Sequence, residues 1–303
     1  KVLFEYTKLA DDCEWTMEAN PSSISLDQFK AYRSIGINRV SMGVQSLNND
    51  HLIKLGRVHD ASQAFKSLDL LFQAGFENVS TDLLCGVPGQ TIDDVRDHMI
   101  RLSDYPITHL SCYLLTLAPH HAMFKSLPSD EEQLKHLLFI DQFMQERGFE
   151  HYEISNFAKR DDNSPGRYRA KHNLVYWKGG EYLGFGPSAH SFTKHNPSTN
   201  EAARFKNFSS LHAYGKALLD QNKLPVEWTE NLTPDQEEIE KWMLAIRLDD
   251  GFPNSWLATD RQKAKAKLFL SEGWLEAHPL KRDFLRATAK GFALSNSLTK
   301  ELS

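Results

Sequence analysis

Cysteine is scarce here and unpaired in sequence: Cys13, Cys85 and Cys112 stand far apart in a chain of 303 residues. An odd number at such spacing excludes a disulfide framework and any CxxC metal pair, so buried thiols are expected. No apolar run approaches the roughly 18 residues that a membrane span needs. The opening "KVLFEYTKLADDCEW" has acids within a few residues of its apolar start and no small-residue cleavage site, so no secretory signal is read and a cytoplasmic setting is expected. Positive charge is not in excess: the formal net charge of −5 argues against a chain built mainly to coat nucleic acid. What remains is a soluble globular composition, 41% hydrophobic and 25% charged, with length enough for one large α/β domain and a smaller one.

From the start to about residue 160, helix-like stretches alternate with short apolar strands. The strands read as "EWTMEAN" (14–20), "RVSMGVQS" (39–46), "NVSTDLLCGVP" (78–88), "HLSCYLLT" (109–116) and "EHYEISNFA" (150–158). Of the four amphipathic stretches between them, three are read as opening on Ser, Thr or Asp as N-caps, and Gly36, Gly75 and Gly148 mark helix stops. Strict alternation predicts a parallel sheet with right-handed crossovers. Glu18, Gln45, Asp82 and Thr116 each fall at the C-terminal end of a successive strand, and such ends gather at one mouth in a barrel. An open doubly wound sheet would show a glycine-rich first turn, which is missing. The expected class is therefore α/β, with residues 1–160 forming a barrel, complete or partial. Residues 161–205, rich in Gly, Pro, Asn, Ser and aromatics, read as loop-dominated, and 206–303 as helical. The last stretch reads helix, hairpin, helix, the outline of a winged-helix module, although such modules also serve purely for packing.

A carboxylate (Glu18), an amide (Gln45) and a second carboxylate (Asp82) at one mouth, joined by Arg57 from the segment after "GVQS", make a mixed-charge ring suited to a zwitterion. An amino-acid moiety offers a carboxylate for Arg and an ammonium for a carboxylate, while a ribose offers hydroxyls. The alternative is that these residues only cap strand ends and pair with each other. "GVPGQT" (86–91) follows a strand and precedes a helix, a turn that lets backbone approach a ligand but that occurs in many other settings. "KHNLVYWKGG" (171–180) sets an imidazole beside two flat aromatic rings.

"EANPSS", "RVSMGVQSLNNDHLIKLGRVH", "STDLLCGVPGQT", "YEISNFA" and "HNLVYWKGGEYLGFGPSAHSF", in this order, resemble the radical S-adenosylmethionine (SAM) proteins related to oxygen-independent coproporphyrinogen III oxidase. Among these the chain is most similar to the HemW-type heme chaperones, over essentially its whole length. The resemblance implies that Glu18, Gln45, Arg57 and Asp82 bind S-adenosylmethionine, with Thr116 a weaker candidate on the adenosine side. It also implies that the HNxxYW motif, here His172, Asn173, Tyr176 and Trp177, binds heme, with His172 as the iron contact. A neutral imidazole is a good axial ligand, and Tyr and Trp can cover a macrocycle. The other reading of the motif is a packing loop in which His172 bonds to backbone and the aromatics fill the barrel. Glu153 and Asn156 of "YEISNF" are read as support for the neighbouring mouth.

In this family a [4Fe–4S] cluster is held by a CxxxCxxC loop after the first barrel strand, and no such motif occurs in these 303 residues. The glycine-rich strand end expected before "EWTMEANP" is missing too, and the chain starts in what reads as the helix ahead of the third family strand. The expectation is a partial (β/α)6 barrel lacking its N-terminal strands through truncation, rather than a degenerate member. Without the motif, these residues are not expected to perform reductive cleavage of S-adenosylmethionine. The functions implied are heme chaperone, with heme and heme-acceptor proteins as partners and nucleic acid not favoured, or alternatively coproporphyrinogen III oxidase or a cluster-less interaction protein. The basic tail leaves peripheral membrane contact as a further alternative.

Overall fold

The computed structural model describes Glu5 and residues 8–303 apart from Ser22, Pro197, Ser198 and Asn200. The helix expected at the very start of the chain falls largely outside these residues. The chain divides into two compact units, one ending at Arg169 and the other beginning at Ala170.

The first unit is built on a six-stranded sheet ordered β1-β2-β3-β4-β6-β5: β1 (Thr16–Ala19), β2 (Arg39–Gln45), β3 (Asn78–Cys85), β4 (His109–Leu114), β5 (Phe149–Glu153) and β6 (Asn156–Lys159). Its main helices are α1 (Leu26–Ser34), α2 (Asn49–Lys54), α3 (Ala61–Gln73), α4 (Ile92–Ser103) and α5 (Asp130–Glu146). Four of them start on capping boxes, one more than the three N-caps expected from the sequence. Ser25, Asp60, Thr91 and Ser129 each accept from a backbone N–H three residues on, and the residue there returns a bond to the cap.

β1 to β4 are parallel, as alternation predicts. The fifth expected strand, 150–158, is instead a hairpin. β5 and β6 are antiparallel, pairing Glu153 with Asn156 across a two-residue turn, and β6 runs antiparallel to β4. Ile154 and Ser155 form this turn, so apolar Phe149 and Phe157 are both delivered to the core from adjacent strands.

The sheet has two chemically different faces. Val40, Met42, Val44, Val79, Leu83, Leu110 and Phe157 join helical Phe29, Leu68, Leu71, Met99 and Ile140 in one core cluster. The alternate residues Arg39, Ser41, Ser80, Asp82, His109, Ser111 and Asn156 occupy the other face, in register: Ser41 lies beside Ser80, Ser80 beside His109, Asp82 beside Ser111 and Ser111 beside Asn156. A parallel sheet covered on both faces is normally apolar on both, so this polar face marks the interior of a partial barrel.

The second unit opens with α6 (Lys171–Trp177) and continues into an antiparallel sheet of β7 (His190–Thr193), β8 (Ala203–Asn207) and β9 (Val226–Asn231). Regular structure thus occupies part of the segment read as loops, and β9 lies in the segment read as helical. Beyond it come α7 (Pro234–Ile246), β10 (Phe252–Pro253), α8 (Asp260–Ser271), β11 (Leu275–Ala277), β12 (Phe284–Ala287) and α9 (Ser295–Leu302), with β12 between β10 and β11. The core here is aromatic: fully buried Trp242 meets Phe252 and Trp256 edge-on at 5.0 and 5.3 Å.

Candidate functional site

The strand ends of β1, β2 and β3 bring together three of the residues singled out in sequence. Glu18 is exposed near the end of β1, in register with Ser41 of β2, whose hydroxyl donates to Asp82 Oδ1 at 2.9 Å. Asp82 also accepts from Ser111 on β4. Burial pushes the Asp82 carboxyl above its usual range, the two hydroxyls and the Arg39 charge pull it back, and the Glu18 carboxylate raises it again. Gln45 closes β2 with φ of +65°, a conformation a residue with a side chain rarely takes. At Gly43 an added Cβ would lie 3.0 Å from Gln45 Nε2 and 3.3 Å from Asn20 Oδ1, so the missing side chain leaves space for both amides at the mouth.

Arg57 is exposed in the segment after α2, and that segment is tied to the end of β2 by buried His59, whose Nε2 lies 3.1 Å from Val44 O. Thr116 lies two residues beyond β4, exposed, with its hydroxyl donating to Leu114 O at 3.4 Å. The "GVPGQT" turn is occupied by its own contacts. Gly86 N–H donates to Gln90 Oε1 at 2.8 Å, Lys54 Nζ to Pro88 O at 2.8 Å, and Thr91 N–H to Asp94 Oδ2 at 2.8 Å. It therefore shapes the mouth without offering these donors to a ligand.

Sequence reasoning missed the polar floor below the mouth. His109, fully buried, bonds through Nδ1 to Ser80 Oγ and through Nε2 to Tyr152 OH, each at 2.8 Å. Burial, then the nearby Arg39 charge, holds its pKa well below the usual histidine value, so it is neutral. Arg39 is 5% exposed, and its Nε has no hydrogen-bond partner among the described residues. The signal was present as strict alternation in "RVSMGVQ" and "HLSCY". Tyr113, on the same face, is pushed up by burial and by the carboxylates of Asp82, Glu153 and Glu18, with Ser111 opposing.

The cysteines do not fit an iron-sulfur cluster. Cys85 and Cys112 are buried in the helix-facing core with sulfurs 2.9 Å apart, and Cys13 lies ahead of β1. Among the described residues no group of three or more His, Cys, Asp or Glu converges to hold a metal, and no helix is long and apolar enough to cross a membrane.

The HNxxYW residues stand on helix α6 rather than in a loop, and the helix separates them. His172 and Tyr176, four apart, share one side with rings edge-on at 4.9 Å. Asn173 and Trp177 share another. From Tyr176 the aromatic contacts continue to Tyr182 at 4.4 Å and on to Phe192 of β7 at 6.3 Å. Both His172 and Tyr176 are exposed.

Residues 1–102 match the Radical SAM superfamily. A protein of Lactococcus lactis named heme chaperone HemW is 32% identical over 245 residues, covering 78% of this chain and 60% of that protein. Its namesake from Mycobacterium tuberculosis is 31% identical over 302 residues, 97% of this chain and 73% of the relative. The chain thus spans 60% of the length of the first of these relatives. The solved structure of coproporphyrinogen III oxidase (HemN) from Escherichia coli, described as a radical SAM enzyme, superposes with a TM-score of 0.76 at 21% identity, over 99% of this chain and 72% of that one. That likeness establishes the fold, including the parallel sheet of the first unit.

Proposed function

The chain belongs to the HemW family of radical SAM proteins, and from that premise we propose that it binds heme and S-adenosylmethionine and passes the heme to acceptor proteins in the cytoplasm. The observation that carries this reading is the complete HNxxYW motif on an exposed helix, with His172 beside Tyr176 at the start of a run of aromatic contacts. An imidazole next to flat apolar surface is what an iron-bearing macrocycle needs from a protein. His172 is the proposed iron contact, with Asn173, Tyr176 and Trp177 the rest of the heme-binding set.

For S-adenosylmethionine, Glu18 and Asp82 offer carboxylates to the ammonium and ribose, Gln45 an amide, Arg57 a guanidinium for the carboxylate, and Thr116 a hydroxyl on the adenosine side. Bound at the mouth, S-adenosylmethionine would supply the sulfonium chemistry of the superfamily; these side chains orient it. Cys13, Cys85 and Cys112 do not form a site for an iron-sulfur cluster.

The test is a heme titration followed by absorption, with wild type and His172→Ala in parallel. A saturable Soret band that shifts or weakens at least tenfold in the variant is expected. A band of unchanged position and affinity would remove His172 as the iron contact, and no saturable band in wild type would remove the heme-binding reading.

A further inference from the structure

Beside α6, and wholly within the second unit, lies a groove of about 690 Å³. That volume is within the range of sites for cofactor-sized ligands, about 300–1,000 Å³. Trp177 of the motif, Phe192 at the end of the aromatic run and Trp256 contribute flat walls, and Leu232, Leu244 and Leu248 contribute aliphatic surface.

Most charges lining the groove are already neutralised. Asp250 pairs with Lys178 at 3.3 Å and with Lys281, and Glu240 pairs with Arg204. Lys241 pairs with Glu238 at 3.0 Å while its ammonium sits 4.2 Å from the Trp256 ring centre. Three lining side chains stand apart: Lys194, His195 and Glu237. Exposed Lys194 and His195 make no side-chain hydrogen bond or ion pair among the described residues. Glu181, an acid close to both, is engaged by Thr193 Oγ1 at 2.7 Å and by the Lys194 backbone N–H at 2.8 Å. Flat apolar walls with a spare ammonium and an imidazole at the rim suit a planar macrocycle carrying carboxylates, with the Glu237 carboxylate as the one opposing charge.

The geometry points to this groove as the seat of the carboxylate-bearing edge of a tetrapyrrole, with the Lys194 ammonium pairing a ring carboxylate and Trp177 packing on the ring. The assignment rests on the heme-binding reading and extends it, since it places Trp177 apart from the His172 face of the same helix. Glu237, exposed at the same rim and without an ion pair among the described residues, opposes an incoming carboxylate.

The test uses the whole chain with three probes: heme, metal-free protoporphyrin and protoporphyrin dimethyl ester. Lys194→Glu is expected to weaken heme and protoporphyrin alike by about tenfold, the loss of one charge-assisted hydrogen bond. Glu237→Gln is expected to tighten both about twofold, and the ester should respond to neither variant. His172→Ala should alter the heme spectrum and leave protoporphyrin affinity unchanged. If wild type binds heme but Lys194→Glu binds as wild type does, or the ester responds equally, the groove assignment falls alone. If wild type takes up none of the probes, the heme-binding reading falls and the groove assignment with it.

Discussion

Gln45 and Asp82 both sit in environments that a folded chain normally avoids. A side chain at φ of +65° costs on the order of 1 kcal/mol, so Gln45→Gly is expected to leave the urea midpoint unchanged or raised while S-adenosylmethionine affinity, measured by calorimetry, falls. Asp82 has a folded pKa above its unfolded value of 3.8. The stability tied to its protonated form is present below that value and is lost as pH rises through the folded pKa. Asp82→Asn, which removes the titration, should therefore make the urea midpoint fall less than that of wild type as pH rises above 4, and should weaken S-adenosylmethionine binding by about tenfold. A midpoint lowered equally at pH 4 and pH 7 would mean that the carboxylate holds the strands together.

At the scale of elements, α4 carries a similar trade. His98 Nε2 accepts from Leu47 N–H at 3.3 Å, and burial together with the charge on His51 lowers its pKa to about 4. Below its unfolded pKa of 6.5 the unfolded chain binds the proton more readily, so stability present at pH 7 is lost as pH falls toward 4. By pH 5 the loss is on the order of 1 to 2 kcal/mol from this residue, and His98→Gln should flatten the fall in urea midpoint between pH 7 and 5. The amphipathic helices, three of their four caps and the parallel order of β1 to β4 were legible because caps and periodicity are local. The β5–β6 hairpin was not, since Ile154 and Ser155 carry no glycine, proline or asparagine to announce a turn. α6 was hidden for another reason: seven residues give barely two helical turns of periodicity, and Gly179 and Gly180 follow at once. At the mouth, Glu18, Gln45 and Asp82 were found because they end strands. Arg39, His109 and Tyr152 were missed because a polar residue inside a strand reads as an exception until the register aligns several of them.

For the molecule as a whole, the two candidate sites belong to different compact units, so their ligands should leave different footprints. Hydrogen exchange should slow at the ends of β1, β2 and β3 on adding S-adenosylmethionine, and in α6 and β7 on adding heme, with ligand at a hundred times its Kd stabilising by about 2.7 kcal/mol. Protection by neither ligand would favour a protein that only engages macromolecular partners. The sheet of the first unit separates its tasks by residue parity. Val40 and Met42 hold the helices, while Arg39 and Ser41, which alternate with them, face the interior. Inheritance can therefore rewrite one set without disturbing the other. A descendant could exchange its ligand through substitutions two residues apart and keep the same scaffold, which makes this half of the chain a template for divergence as much as a receptor for one molecule.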